Sequence, residues 1–375
     1  MKQPFRLYHL IQLLEAYDRA KMPLDQFLSQ YFRKEKAVGS KDRKEIAETT
    51  YALMRWKDLL DAFVEGPVTW EKRYGVWTRK LMDDQAKVSL LPLHTQVSFP
   101  EPLYNLFVDT YGQEKAFQLC LDSNQPAPIT IRINALKATR DEWVEKWAEP
   151  GSFKLCDKSP YGVRFINREN FFCREDFRQG FFEVQDEASQ LVASLVEAKP
   201  GQQVIDYCAG SGGKTLAYAP AMQGKGQIYL HDIRPHVLLE AKKRLKRAGI
   251  ENAQISNPDC DKLKRLKKRM DWVLVDAPCS GTGTLRRNPD MKWRIDKDAI
   301  ERLIGQQRII FEKALSFLKD DGVIVYATCS ILSEENERQL EHFLKTYGLK
   351  LRQDPFKSLP ERGGMDGFFA AQLTR

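Results

Sequence analysis

The first third of the chain carries its apolar residues at helical intervals. Leu7, Leu10, Ile11, Leu14 and Tyr17 fall on one stripe, and Ala47, Thr50, Tyr51, Met54 and Leu60 form a second after the polar break at Gly39 and Ser40. Pro67, Pro92, Pro100 and Pro102 interrupt the later segments, so residues 1–122 are expected to fold as bundled helices. The period then changes at DSNQPAP, residues 122–128, where two prolines mark a boundary. Residues 129–133 alternate as a strand, 140–148 read as a helix, and 162–166 and 180–184 as two more strands. That order suits a small α+β unit over 123–190, RNA-recognition-like in outline. Its sheet would offer a base-stacking platform, although the aromatic signature of such platforms is absent. From Pro200 strands and helices alternate: strand 204–207, a helix from Lys214, strand 228–231, a basic helix over 235–248, strand 272–275, a helix around 299–318 and strand 323–327. This is the signature of an α/β, Rossmann-like, doubly wound parallel sheet, here over 191–375.

Composition narrows the class. A chain of 375 residues suggests two or three domains, and 42% hydrophobic residues with 11% aromatics exclude a disordered polymer. The net charge of +8 and pI near 9.0 favour a polyanionic partner, nucleic acid first. Seven cysteines without a C-x-x-C pair argue against a disulfide framework and a zinc site, so no metal is expected. The N-terminus lacks the apolar core of a signal peptide, and no apolar run approaches the ~20 residues of a membrane span. A cytoplasmic monomer without membrane contact is the expectation.

Two loops carry candidate chemistry. In DYCAGSGGKT (206–215) a P-loop reading fails because Cys208 stands where glycine is needed, and a dinucleotide fingerprint is weak because Thr215 stands where a third small residue belongs. The remaining reading is the acid-then-glycines turn of S-adenosylmethionine (SAM) enzymes. Asp206 closes the strand, and Cys208, Ala209, Gly210, Ser211, Gly212, Gly213 and Lys214 present backbone to the cofactor. Asp232 lies about 20 residues further on, the spacing of a carboxylate that holds ribose hydroxyls. Asp259 comes after the expected third strand and would meet the adenine amino group.

The second loop, DAPCSGTGTLRRNPDMKWR (276–294), comes after the strand at 272–275, and ligands bind at the carboxyl ends of such strands. Cys279 lies there, and Cys329 comes after the neighbouring strand in Thr328-Cys329-Ser330. A thiolate at this rim suits methylation of a pyrimidine at carbon 5. Addition at carbon 6 converts the unreactive carbon 5 into an enamine carbon that attacks a methyl sulfonium. Asp276 would hold ring N3 or the exocyclic amine. Spacing alone leaves open which thiol attacks.

The segments CAGSGGK (208–214), DAPCSGTGTLRRNPDMKWR, YATCSILSEENE (326–337) and DGFFAA (366–371) resemble the Nop/Sun family of SAM-dependent RNA cytosine-5 methyltransferases, across the last half of the chain. The helical front resembles, more distantly, the NusB-like RNA-binding domain of the bacterial branch. The resemblance implies that Cys329 adds to carbon 6, Cys279 assists release, Lys214 acts near donor and base, and Asp232, Asp259 and Asp276 contact cofactor and base. One departure is CAGSGGK where many members read CAAPGGK, which bears on fine placement of the donor. The helical front domain favours ribosomal RNA as the substrate, with transfer RNA behind it. The competing readings are an RNA-binding assembly factor with a vestigial methyltransferase fold, and a DNA methyltransferase. Arg286, Arg287, Lys292 and Arg294 stud the second loop and are expected to contact RNA phosphates.

Overall fold

The computed structural model describes residues 4–167, 169–256 and 261–375. They divide into two compact units, Met1–Pro126 with Thr284–Lys297, and Ala127–Gly283 with Asp298–Arg375. The chain therefore leaves the second unit after Gly283, packs fourteen residues into the first, and returns.

The first unit is helical apart from its turns, with helices at Phe5–Asp18, Leu24–Lys34, Ser40–Arg55, Trp70–Thr78, Glu101–Tyr111 and Gln113–Ser123 among others. The stripes seen in sequence become its core: Leu10, Ile11, Leu14, Tyr17, Met54 and Leu60 are buried together with Leu24, Leu53 and Trp70. The returning segment is anchored by buried polar groups. Asp290, 2% exposed, accepts hydrogen bonds from the Tyr17 hydroxyl at 2.8 Å and the Leu24 amide at 3.2 Å. Lys292, 1% exposed, donates to the carbonyl of Arg55 at 2.7 Å and to Asn124 Oδ1 at 2.8 Å. Burial pushes its amine well below the ordinary lysine range.

These contacts correct part of the sequence reading. The sequence places Arg286 and Lys292 on an RNA-facing surface, but Arg286 is 1% exposed and Lys292 serves as an internal strut of the helical unit. Arg294 is exposed, but its guanidinium donates to the Met22 carbonyl at 2.7 Å and to the Tyr17 hydroxyl. Arg287 is half-buried. The physical reason is topological: charge spacing in the sequence cannot reveal that the loop threads a second core.

In the second unit, β1 (Ile129–Ile133), β2 (Phe153–Leu155), β3 (Gly162–Phe165) and β4 (Phe182–Val184) form an antiparallel sheet ordered β2-β3-β1-β4. β2 is missing from the sequence reading because so short a run, FKL, has no readable period. The helix Arg140–Trp147 opens on a capping box between Thr139 and Glu142 and lays Trp143 on Ile131, Ile133, Phe165 and Phe182. The other sheet face carries Arg132, Arg164 and Glu183. Arg132 Nε donates to Gln185 Oε1, Arg164 pairs with Glu187, and Glu183 pairs with Arg244 and Arg247. That face is occupied by polar contacts to the helices Glu187–Ser194 and Pro235–Ala248, so it is not the open stacking platform expected from sequence.

The large sheet contains β5 (Gln203–Asp206), β6 (Gln227–His231), β7 (Ala253–Ser256), β8 (Met270–Asp276), β9 (Leu318–Thr328), β10 (Lys350–Leu351), β11 (Phe356–Ser358) and β12 (Phe368–Thr374). The order is β10-β12-β9-β8-β5-β6-β7, with β11 paired to β12. β5 to β9 are parallel, as expected; the edge strands β10 to β12 are antiparallel additions. Alternate residues of β8 feed two cores. Val273 and Val275 join Ile324, Phe311 and Phe343 on one face, whereas Trp272 and Leu274 join Leu238, Ala241 and Leu245 on the other. Burial on both faces explains the continuous apolar run of residues 272–275. No helix among the described residues is long and apolar enough to cross a membrane.

Replacement of Asp290 by alanine leaves the Tyr17 hydroxyl and the Leu24 amide without that acceptor. It is expected to lower the stability of the helical unit by roughly 2–3 kcal/mol, with Asp290→Asn milder. Urea unfolding checks this, and an unchanged midpoint would contradict the anchoring role.

Candidate functional site

The parallel strands run outward from β5 in both directions, to β6 and β7 on one side and β8 and β9 on the other. The crevice above β5 and β8 is therefore the topological switch point, where ligands bind in sheets of this type. A cavity of about 620 Å³ lies there. Its lining includes Asp206 to Ser211, Gly213, Lys214, Asp232 and Asp276, which brings most of the sequence-proposed cofactor residues to one place. Gly212 supports the loop from behind: with φ +79°, a Cβ there would press to 3.3 Å from the Ala241 Cβ. Gly210 is also left-handed, at φ +52°, and donates its N–H to Asp232 Oδ2 at 2.9 Å.

Three carboxylates meet the cavity in different states. Asp206, 1% exposed, accepts from the Thr215 hydroxyl at 2.7 Å through Oδ2, and its Oδ1 is buried without a hydrogen-bond partner among the described residues. Burial pushes this carboxyl up to about 7, the Thr215 hydrogen bond opposes the rise, and the charge of Asp276 adds to it. Asp276 is bonded to the Lys214 ammonium. Burial works against that ammonium, but the attraction and hydrogen bond of Asp276 outweigh it and hold its pKa above the ordinary value. Asp232 is held below the usual carboxylate range: burial opposes this, and hydrogen bonds from Arg234 and Gly210 prevail. Asp259 lies outside the described residues.

The two thiols come together. Cys279 Sγ and Cys329 Sγ are 3.4 Å apart, and the cavity lining reaches Pro278, one residue short of Cys279. The hydrogen bond to Cys329, then burial, pushes the Cys279 thiol far above its ordinary value. Lys214 also lies over the Phe368 ring at 5.4 Å, from the terminal DGFFAA segment.

Sequence reasoning missed what holds these thiols. Glu335, fully buried, accepts from the Ser280 amide at 2.9 Å, the Ser280 hydroxyl at 2.5 Å and Gln307 Nε2 at 3.0 Å. Ser280 is next to Cys279, and its hydroxyl also meets the hydroxyl of Ser330, next to Cys329, at 3.2 Å. Gly283 N–H donates to the Cys329 carbonyl at 2.9 Å, and a Cβ on Gly283 would lie 2.1 Å from the Gly367 oxygen. The serines and the glutamate stand in the quoted motifs, yet one-dimensional spacing gives no sign that they meet. Ile233, Arg234 and Ile310 are further lining residues that the sequence does not single out.

The family model for 16S rRNA methyltransferase RsmB/F matches residues 193–374, and a ferredoxin-like domain model of Methyltr_RsmF/B-like proteins matches residues 99–170. The chain is 33% identical over 313 residues to a probable ribosomal RNA small subunit methyltransferase B of Synechocystis, covering 78% of this chain and 69% of that one. It is 30% identical over 355 residues to the probable ribosomal RNA small subunit methyltransferase B of Bacillus subtilis, covering 89% and 78%. A solved methyltransferase homolog protein from Pyrococcus horikoshii superposes with a TM-score of 0.66 at 26% identity, covering 76% of this chain and 98% of that one.

Truncation of Glu335 to alanine strips the acceptor from the buried Ser280 amide and hydroxyl and from Gln307 Nε2. The expected cost is about 3 kcal/mol, with Glu335→Gln recovering part of it. Chemical denaturation of both variants checks this, and wild-type stability for Glu335→Ala would show that the network does not hold the loops.

Proposed function

Because the chain belongs to the 16S rRNA methyltransferase RsmB/F family, we propose that it transfers a methyl group from SAM to carbon 5 of a cytosine in RNA, ribosomal RNA foremost. The observation that carries the cytosine-5 chemistry is the pair of thiols 3.4 Å apart at the ends of adjacent parallel strands, next to a cavity lined by Asp276 and Lys214. A binding protein has no need of such a pair.

The cavity residues fit the cofactor. The unpartnered Asp206 Oδ1 suits the amino group of the methionine moiety, the glycine loop leaves room for close backbone approach, and Asp232 suits ribose hydroxyls. Ile233, Pro278 and Ile310 supply apolar surface for a flat ring. SAM, when bound, supplies an electrophilic methyl group on a sulfonium.

The chain's own residues do the rest. Cys329 adds through sulfur to carbon 6 of the base, which moves electron density to carbon 5. Asp276 accepts hydrogen bonds from the base edge, and Lys214 keeps that carboxylate oriented and charge-balanced. Cys279, in hydrogen-bond contact with Cys329, is placed to assist the later proton movements and the release of the product. Once carbon 5 carries the methyl group, its proton passes to water and Cys329 leaves as the thiolate, which restores the aromatic ring and frees the product. The target base must leave its stack or come from a single strand. Exposed Lys242, Lys243, Lys246, Lys264, Arg265, Lys267 and Lys268 offer phosphate contacts, with Arg287 and Arg294 as further candidates.

Two experiments test this reading. Cys329→Ala is expected to bind SAM normally and to methylate nothing, whereas Cys279→Ala is expected to accumulate a protein–RNA adduct that survives denaturing electrophoresis. A Cys279→Ala enzyme that turns over freely would overturn the division of roles.

The second concerns pH. With its carboxyl raised to about 7, Asp206 is mostly protonated at pH ~6 and mostly ionised above pH ~7.5. A cofactor ammonium prefers the ionised form, so SAM affinity is expected to rise with pH across this window, approaching about tenfold per unit on its acid side, with proton release. Calorimetry in buffers of different ionisation enthalpy measures both, and Asp206→Asn should flatten the profile. A flat wild-type profile without proton release contradicts the assignment.

A further inference from the structure

We infer that Arg234 is a latch on the Asp232 carboxylate, competing with the ribose hydroxyls for it and thereby setting cofactor affinity; this rests on the SAM reading above. Asp232 is 4% exposed, and both of its oxygens are engaged. Oδ1 accepts from the Arg234 amide and from Arg234 Nε, each at 2.9 Å. Oδ2 accepts from the Gly210 amide at 2.9 Å and from Arg234 Nη2 at 3.0 Å. A carboxylate offers about four acceptor positions, so this one has none left for a diol.

The four contacts differ in how easily they give way. The Gly210 and Arg234 amides belong to backbone fixed by the glycine turn and by Pro235, which opens the helix Pro235–Ala248. The guanidinium is a different case. Its side chain is 58% exposed, and among the described residues it hydrogen-bonds only to Asp232. A Cβ on Gly210 would find Arg234 Nη2 as its nearest neighbour, at 4.0 Å, so the guanidinium lies across the loop that the cofactor must approach. A half-exposed ion pair is weak enough to open yet strong enough to be felt in a binding constant. Ribose can reach Asp232 by displacing the guanidinium and leaving the amide contacts in place.

The test is calorimetric binding of S-adenosylhomocysteine and of its 2′,3′-dideoxyribose analogue to the full-length wild type, Arg234→Ala and Arg234→Lys. Release of the latch in Arg234→Ala is expected to tighten S-adenosylhomocysteine by about two- to fivefold while leaving the dideoxy analogue unchanged. Arg234→Lys, a point charge without the fork, is expected to fall between. Unchanged or weaker binding of S-adenosylhomocysteine by Arg234→Ala overturns the latch, as does an equal gain for both ligands, which would reflect charge alone. If the wild type binds neither SAM nor S-adenosylhomocysteine, the SAM reading fails, and the latch falls with it.

Discussion

Buried Glu335 is the constraint on which the site depends. Its carboxylate gathers Ser280 and Gln307, and Ser280 in turn meets Ser330, so the loops beyond β8 and β9 are tied immediately past their cysteines. Parallel pairing alone brings strand ends near one another; it does not fix two side chains at 3.4 Å. A carboxylate in this position carries the cost of desolvation, which only its several donors offset. The close passage of Gly283 against Gly367 then locks the C-terminal segment to the same place.

Around that clamp the charges are arranged by depth. Lys214 is buried and neutralises Asp276, the acid nearest the thiols in the chain. Asp206 sits deeper and has one oxygen to spare, whereas Asp232 is fully engaged by Gly210 and by the half-exposed Arg234. One cavity thus holds three aspartates in different surroundings, set by burial and by partners rather than by residue type.

The range of each interaction decides how much of this is legible in the sequence. The strands 129–133 and 228–231 and the helix 235–248 stand out because their patterns are local and strong. The helix after the glycine loop is harder to read, since Pro220 limits it to Thr215–Tyr218 and a 3-10 turn beyond. β12 hides in FFAAQLT, a run without alternation that pairs with β9 and is buried on both sides. Cys279, Cys329, Asp276 and the glycine loop are readable from motif spacing. Glu335 and the threading of residues 284–297 through the helical unit are not, because each depends on contacts across tens to hundreds of residues. For the same reason Arg286 and Lys292 read as surface charges in the sequence: their burial comes from partners such as Arg55 and Asn124, far away in the chain.

The central claim is methylation of cytosine carbon 5 in RNA, and the measurement that meets it most directly is the chemical identity of the product. Small-subunit ribosomal RNA from cells lacking this protein is incubated with the purified chain and SAM carrying a deuterated methyl group, digested to nucleosides, and analysed by mass spectrometry. The account predicts a single labelled nucleoside, 5-methylcytidine, with the label on the base. Label on any other nucleoside or on the ribose, or no label despite measurable SAM binding, would contradict it.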